Sequence, residues 1–296
     1  MFDARDSEAK SGGGLIFGLA TVALVSVLFV GVLYFPSLTG PGKSEVAASE
    51  QPENITLLSA FEDEPTRTFI RKLRRTFPSE ASALERDVLR ARSRGADEVE
   101  LGLIVMQAGT HAVASSIDRL SMADEIYAER ILETTSQALR ELSASGAPYC
   151  KGSDLIQFAK LSDQELYAAV FDRVGHGAGL YDFGLELNGI FLDAIRDARA
   201  DPIIHGRLTS SDMGALQRLG LSVMTNPDLM LLLTTEGKSR SEMDAAVASV
   251  NFCDLGAKLI EQVNDLPDGT KGRVWAELWI QVERDGIERM FYRYAY

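Results

Sequence analysis

The chain has 296 residues, and its 30 basic against 43 acidic side chains give a net charge of −13. This acidic balance argues against nucleic acid as the main partner, because phosphate backbones are bound by basic surfaces. The chain has only two cysteines, too few to build a structural zinc site on their own.

Residues 15–35 form a continuous stretch of 21 residues without a charged side chain. As a helix with a rise of about 1.5 Å per residue it would span about 32 Å, close to the ~30 Å hydrocarbon core of a bilayer. A cleaved signal peptide has a shorter apolar run of about 7–15 residues, followed by small residues, whereas this run ends in Tyr34, Phe35 and Pro36. The sequence therefore predicts a retained transmembrane helix, which holds the chain in the lipid bilayer through residues 15–35.

Basic residues on the two sides of this segment indicate its orientation. Arg5 and Lys10 precede it, and Lys43 alone follows within reach. The positive-inside rule then favours a short cytoplasmic tail, residues 1–14. Acidic residues in the tail and arginines from residue 67 onwards leave the opposite orientation open.

A pair of glycines at the start of the apolar segment has the spacing of a helix-dimer motif. Gly14 and Gly18 are four residues apart, with Thr21 one turn further on the same face, and small residues there let two helices approach closely. The pair allows a homodimer, but the glycines at 12–14 also fit a flexible lead-in.

Residues 36–62 are rich in Pro, Gly, Ser, Ala and Glu and read as a flexible linker. Beyond it, capping residues and apolar periodicity recur through 63–296 and indicate a soluble multi-helix domain, with a subdivision near 146–152 as an option. Strand-like alternation is confined to 290–296, so the predicted class is all-α. Helices are predicted over 79–93, from 97 onwards, from 121 to about 143, from 162 towards 199, and over 211–219, 228–234, 241–263 and 272 to about 290.

A basic segment follows the linker. Nine basic and four acidic residues lie between Glu64 and Arg94, and Phe69, Ile70 and Leu73 have helical spacing. This pattern fits a basic amphipathic helix that lies on anionic headgroups or docks an acidic partner, and equally an ordinary domain helix with solvated arginines. The predicted partner-binding residues are Arg67, Arg71, Lys72, Arg74 and Arg75.

The cysteines, Cys150 and Cys253, form an even pair. If the body lies outside the cytoplasm, one disulfide is the simplest interpretation, and closing a loop of about 100 residues would contribute about 4–5 kcal/mol in the chain-entropy model. Two unrelated buried thiols are the alternative.

Aromatic residues are concentrated near the end of the chain. Trp275 and Trp279 are one helical turn apart and can anchor the last helix to the core. Tyrosine and tryptophan are also enriched at binding hot spots, so the predicted partner contacts include the two tryptophans and Tyr292, Tyr294 and Tyr296.

The sequence gives only weak signals for catalytic or metal-binding residues. Within helical spacing, His176 follows Asp172 and His205 follows Asp201, but Pro202 interrupts the second pair, and a capping or hydrogen-bonded histidine explains both. No hydrolase, metalloprotease or nucleotide motif is recognisable, so no catalytic residue, metal ligand or cofactor is predicted. An acidic stripe that needs burial to act as an acid and base pair consists of Asp182, Glu186, Asp193 and Asp197.

The leading hypothesis is a single-pass signal-anchor protein of the bacterial inner membrane with a periplasmic helical domain. It would bind or scaffold other membrane or envelope proteins without catalysis. The alternative is a membrane-tethered hydrolase or lyase that acts on envelope polymers through a carboxylate such as Glu186. A metal-binding bundle around His176 is a third class.

Overall fold

The computed structural model describes residues 56–147, 150–158, 179–233 and 239–286. Within these ranges the protein is all-helical: no strand forms there, and one isolated bridge pairs Lys151 with Asn251. The predicted all-α class is confirmed for this part of the chain. The segment 15–35 lies outside the described residues, and no helix inside them is both long and apolar enough to cross a bilayer.

Among the described residues, 202–209 form a connection without secondary structure of its own. A 3-10 turn, Leu57–Ala60, precedes the first α-helix. The described helices are α1 (Glu64–Thr76), α2 (Pro78–Ser93), α3 (Glu98–Ala114), α4 (Ile117–Leu120), α5 (Glu125–Ala144), α6 (Gly152–Phe158), α7 (Gly179–Ala200), α8 (Ser210–Met224), α9 (Pro227–Leu233), α10 (Arg240–Ala248), α11 (Phe252–Asn264) and α12 (Asp268–Asp285).

Several predicted helix ends are confirmed. Helix α2 ends at Ser93, and Gly95 just beyond it takes the left-handed φ of 83° that suits glycine. Asp97 caps α3 by accepting a hydrogen bond from the backbone N–H of Glu100. Gly146 closes α5 with a φ of 69°.

Two other predicted boundaries are wrong. The helix predicted over 241–263 is interrupted, because Asn251 leaves the helical conformation and caps α11 by accepting from the N–H of Asp254. Ser121 does not cap α5, since the short helix α4 ends beside it. Asp124 is the cap instead, accepting from the N–H of Ile126.

The larger of two hydrophobic clusters is built mainly from α1, α2, α3, α4, α7 and α12. Phe191 stacks on Trp275 at a centroid distance of 6.3 Å and meets Trp279 edge-on at 5.6 Å. The hydroxyl of Tyr181, a fully buried residue, lies 2.9 Å from the hydroxyl of Thr66. Each fully buried large side chain contributes about 1.5–3 kcal/mol, so this cluster supplies most of the apolar stabilisation of the described residues.

The smaller cluster joins α5, α8 and α11. Its buried members are Leu132, Ala215, Leu216, Leu219, Ile260, Val263 and Leu266. Helix α5 contributes to both clusters, since Tyr127 and Ile131 belong to the larger one. Its most extensive packing is against α11.

Candidate interaction surfaces

Helix α1 turns its apolar side inward and its arginines outward. Asp63 caps it by accepting a hydrogen bond of 2.7 Å from the N–H of Thr66. Phe69, Ile70 and Leu73 are buried, in a helix that packs chiefly on α7. The amphipathic pattern therefore serves the core on one side and leaves a basic surface on the other.

The outward side of α1 carries three exposed arginines. Arg71 forms an ion pair with Glu64 on the same helix, and this guanidinium lowers the pKa of the Glu64 carboxyl. Nε of Arg75 approaches the backbone oxygen of Arg71 at 3.4 Å. Arg74 lies 4.0 Å from a carboxylate oxygen of Glu85 on α2, so the solvent-facing sides of the two helices meet at this seam.

The other two predicted basic contacts of α1 point elsewhere. Nζ of Lys72 lies 2.7 Å from an Asp193 carboxylate oxygen and 3.4 Å from the carbonyl oxygen of Gly189, so this lysine fastens α1 to α7. Arg67 is half-buried, and its Nε has no hydrogen-bond partner in the part of the chain that the structure describes. Neither side chain presents its full charge to solvent.

Helix α2 extends the basic surface with arginines absent from the predicted contact set. Arg90 pairs with Asp87 on its own helix at 3.3 Å, and Arg86 and Arg92 are exposed. Their signal was present in the sequence as local net charge, but their exposure depends on how α2 packs. We use the name arginine face for the exposed side chains of Arg71, Arg74, Arg75, Arg86 and Arg90, which lie opposite the buried sides of their helices.

The two tryptophans lie in the core rather than on a surface. Trp275 and Trp279 are only 3 % and 6 % exposed, and Nε1 of Trp275 donates to the carbonyl oxygen of Leu120 at 2.8 Å. They anchor α12, so we remove both from the partner-contact set. The other predicted aromatic contacts, Tyr292, Tyr294 and Tyr296, lie outside the described residues.

The predicted cysteine pair is present as a disulfide. The sulfur atoms of Cys150 and Cys253 lie 1.99 Å apart and their Cα atoms 5.0 Å apart. Both residues are buried. Beside them the N–H of Gly152 donates to the carbonyl oxygen of Val250 at 2.9 Å. A Cβ on Gly152 would lie 1.7 Å from the carbonyl oxygen of Val247, so the backbones of α6 and α10 meet without a side chain between them.

A groove of about 460 Å³ lies between α5 and α7. Of the predicted acidic stripe, Asp182 and Glu186 line this groove. The other two carboxylates do not, since Asp193 and Asp197 accept hydrogen bonds from Arg196 at 3.0 and 2.8 Å. The stripe is thus divided between a groove wall and an ion-pair network.

The ion-pair network around Asp197 has a polar partner from α5. The Arg196 guanidinium is the main group that lowers the pKa of Asp197, and the Tyr127 hydroxyl adds a second hydrogen bond to the carboxylate. Burial, followed by this bond, raises the pKa of Tyr127 to about 12. These groups connect α5 to α7 rather than face a ligand.

His205 is a hydrogen-bonded residue of the connection after α7. Its Nε2 lies 2.7 Å from the carbonyl oxygen of Ala123. Its Nδ1 and a carboxylate oxygen of Glu125 lie 2.6 and 2.8 Å from where a Cβ on Gly272 would stand. His176 lies outside the described residues, and within them no three potential metal ligands come together.

Sequence analysis did not identify one buried carboxylate of the described residues, that of Asp212, which accepts several hydrogen bonds. Asp212 is 1 % exposed and receives two hydrogen bonds from Arg273, at 2.7 and 2.8 Å. Thr270 donates at 2.7 Å, and so does the N–H of Thr209. The Arg273 guanidinium is the chief cause of a pKa for Asp212 far below the usual range of an aspartate. The Thr209 to Asp212 spacing signals a helix cap, but nothing local signals Arg273.

Comparison with protein-family models, with curated proteins and with solved structures gives no match. The functional argument therefore rests on this chain's own residues. Its strongest features are the arginine face, the groove with Glu186 and the buried disulfide.

Proposed function

We propose that this protein is a single-pass membrane protein whose helical body acts as a non-catalytic interaction or scaffold component of the cell envelope. Residues 15–35 are the anchor, residues 1–14 face the cytoplasm, and the body is periplasmic at a bacterial inner membrane. The partners are other membrane or envelope proteins, and no cofactor takes part.

The disulfide is the single observation that carries the proposed location of the body outside the cytoplasm. Disulfides persist in oxidising compartments and are rare in the cytosol. Cys150 and Cys253 are paired and buried, and the same orientation follows from Arg5 and Lys10 before the apolar segment. Two independent features, one on each side of the anchor, thus favour an extracytoplasmic body.

Thiol labelling in spheroplasts tests the proposal. A membrane-impermeant maleimide is applied before and after an impermeant reductant. We expect Cys150 and Cys253 to resist labelling at first and to react once reduced, because reduction destabilises the body around these buried residues and the body lies on the outer side of the membrane.

The matched control is a C150A/C253A chain with a single new thiol, S7C, in the N-terminal tail. That thiol should react only after lysis. Cysteines in the native chain that are free, and that react only after lysis, would place the body in the cytoplasm and overturn the proposal.

The groove supports a second candidate, a tethered hydrolase or lyase acting on envelope polymers. Glu186 and Asp182 line a groove large enough for part of a polymer chain. Glu186 is exposed, however, whereas carboxylates that act as general acids are usually desolvated. An E186Q chain that complements a deletion strain as fully as the native chain would eliminate this candidate.

A further inference from the structure

We infer that the arginine face docks on the anionic phospholipid headgroups of the bilayer that holds the anchor. The inference rests on the proposed membrane anchor and adds a partner for one side of the body. It assigns α1 and α2 to the membrane side and the remaining helices to the side that faces other proteins.

The first observation is where the linker joins the body. The 3-10 turn Leu57–Ala60 is packed against α2, with Leu57 fully buried and Phe61 5 % exposed. The N–H of Leu57 donates to a carboxylate oxygen of Glu85 at 2.9 Å. The chain arriving from residues 36–55 is therefore held at α2.

The second observation is that this entry point adjoins the arginine face. The other carboxylate oxygen of Glu85 is the one that Arg74 approaches, and Arg86 is the next residue. Residues 36–55, the part of the predicted 36–62 linker that precedes the described residues, lead from the predicted anchor to this point. The arginine face is thus the part of the body closest along the chain to the bilayer.

The third observation is the unequal distribution of charge. Residues 64–94 carry nine basic and four acidic side chains, whereas residues 95–296 carry 18 basic and 31 acidic ones. An anionic surface attracts the first region and repels the second, and each arginine near such a surface shifts the docking equilibrium by about fivefold. The charge asymmetry therefore sets an orientation as well as an affinity.

The composition of the face favours lipid over an acidic protein. In the described chain the exposed large apolar side chains lie elsewhere, and none is on α1 or α2. Protein interfaces are usually centred on aromatic or apolar anchors. Arg75 and Arg86 form no ion pair among the described residues, so their charge is available to headgroups.

The test uses the full chain in nanodiscs of phosphatidylcholine, with or without phosphatidylglycerol. Energy transfer to a headgroup acceptor is measured from a fluorophore on S82C, an exposed position of α2, or on S222C, an exposed position of α8. We expect phosphatidylglycerol to raise transfer from position 82 and not from position 222, and molar salt to reverse the gain.

Matched charge variants locate the effect. The R75Q/R86Q chain should lose about 30-fold in the docked-to-undocked ratio. The R207Q/R218Q chain loses the same net charge from exposed positions elsewhere and should keep the gain in transfer.

Equal transfer with and without phosphatidylglycerol, or equal losses in the two double variants, would overturn the inference and leave the anchor in place. If the fluorescence at position 82 changed on addition of polyglutamate while energy transfer did not respond to phosphatidylglycerol, the face would be assigned to an acidic protein. That result would also overturn the inference. A native chain that leaves the discs in detergent-free buffer would refute the anchor itself, and the proposed function with it.

Discussion

The two hydrophobic clusters are held together in different ways. The larger one buries many large side chains, with Phe191, Trp275 and Trp279 in mutual contact. The smaller one has seven buried members. Two of them are the small residues Ala215 and Val263, and a third, Leu266, lies in the short loop after α11. Its helices also carry a disulfide on α11 and a buried ion pair on α8.

This difference shows how a helical body compensates for a thin core. Apolar burial stabilises in proportion to the area removed from water, so α8 and α11 gain less from it than α1 and α7. A covalent link and a fully hydrogen-bonded carboxylate offset part of that deficit. Breaking the disulfide or the buried ion pair should therefore destabilise the smaller cluster. Shortening a buried side chain should cost more stability in the larger cluster than in the smaller one.

The largest effect is expected from removing the disulfide. In a C150A/C253A chain the free energy of unfolding should fall by about 4 kcal/mol, because the bridge closes a loop of 103 residues in the unfolded state. Urea unfolding in detergent solution, followed by circular dichroism, measures the change.

Reductant supplies the control for this experiment. It should destabilise the native chain by a similar amount and leave the C150A/C253A chain unchanged. Identical urea midpoints for the oxidised native chain and the double variant would show that the smaller cluster does not need its covalent tie.

The next effect concerns the buried ion pair. D212N removes the charge that Arg273 and Thr209 hold in place and should cost about 3 kcal/mol, since it leaves a guanidinium with a weakened partner. The same substitution at an exposed aspartate of α10, D244N, is the matched control and should change the urea midpoint little.

The pH dependence of unfolding identifies the charge as the cause. The pKa of Asp212 is lowered in the folded state, so its contribution is complete above the unfolded pKa of about 3.9 and is lost as the pH falls towards the folded value. Below about pH 4 the native chain should lose stability more steeply than D212N. Parallel curves for the two chains would contradict this account.

The smallest effect is expected from deleting one methylene group from a buried isoleucine in each cluster. Ile195 is fully buried in the larger cluster and Ile260 is 2 % exposed in the smaller one. We expect I195V to cost about 1.5 kcal/mol and I260V about 0.5 kcal/mol, because half-buried neighbours around the smaller cluster can relax into the space. Equal losses in urea unfolding would mean that the two clusters are packed alike.

Short-range chemistry explains which parts of this fold were predictable. Asp97 and Gly146 act on backbone groups within a few residues, so local rules locate the ends of α3 and α5. The break before α11 has no glycine or proline. Asn251 ends the helical run there by capping α11, and its side-chain amide donates to Ser143 on α5, 108 residues away.

The surfaces follow the same division. Local sequence shows that α1 is basic, but only packing shows that Lys72 forms an ion pair with Asp193 and that Arg86 is exposed. The Asp212 to Arg273 pair spans 61 residues and leaves no periodic trace. The cysteine pair was predictable because two thiols allow one pairing only.

The close contact at Gly152 makes the disulfide depend on how α6 and α10 pack. One added methyl group at this position would collide with the carbonyl oxygen of Val247 and force α6 off α10. Cys150, two residues earlier, would move with α6 and away from its partner sulfur. The disulfide can thus form only while the two helix backbones stay this close, so a side chain at Gly152 would disfavour the bond even in an oxidising compartment.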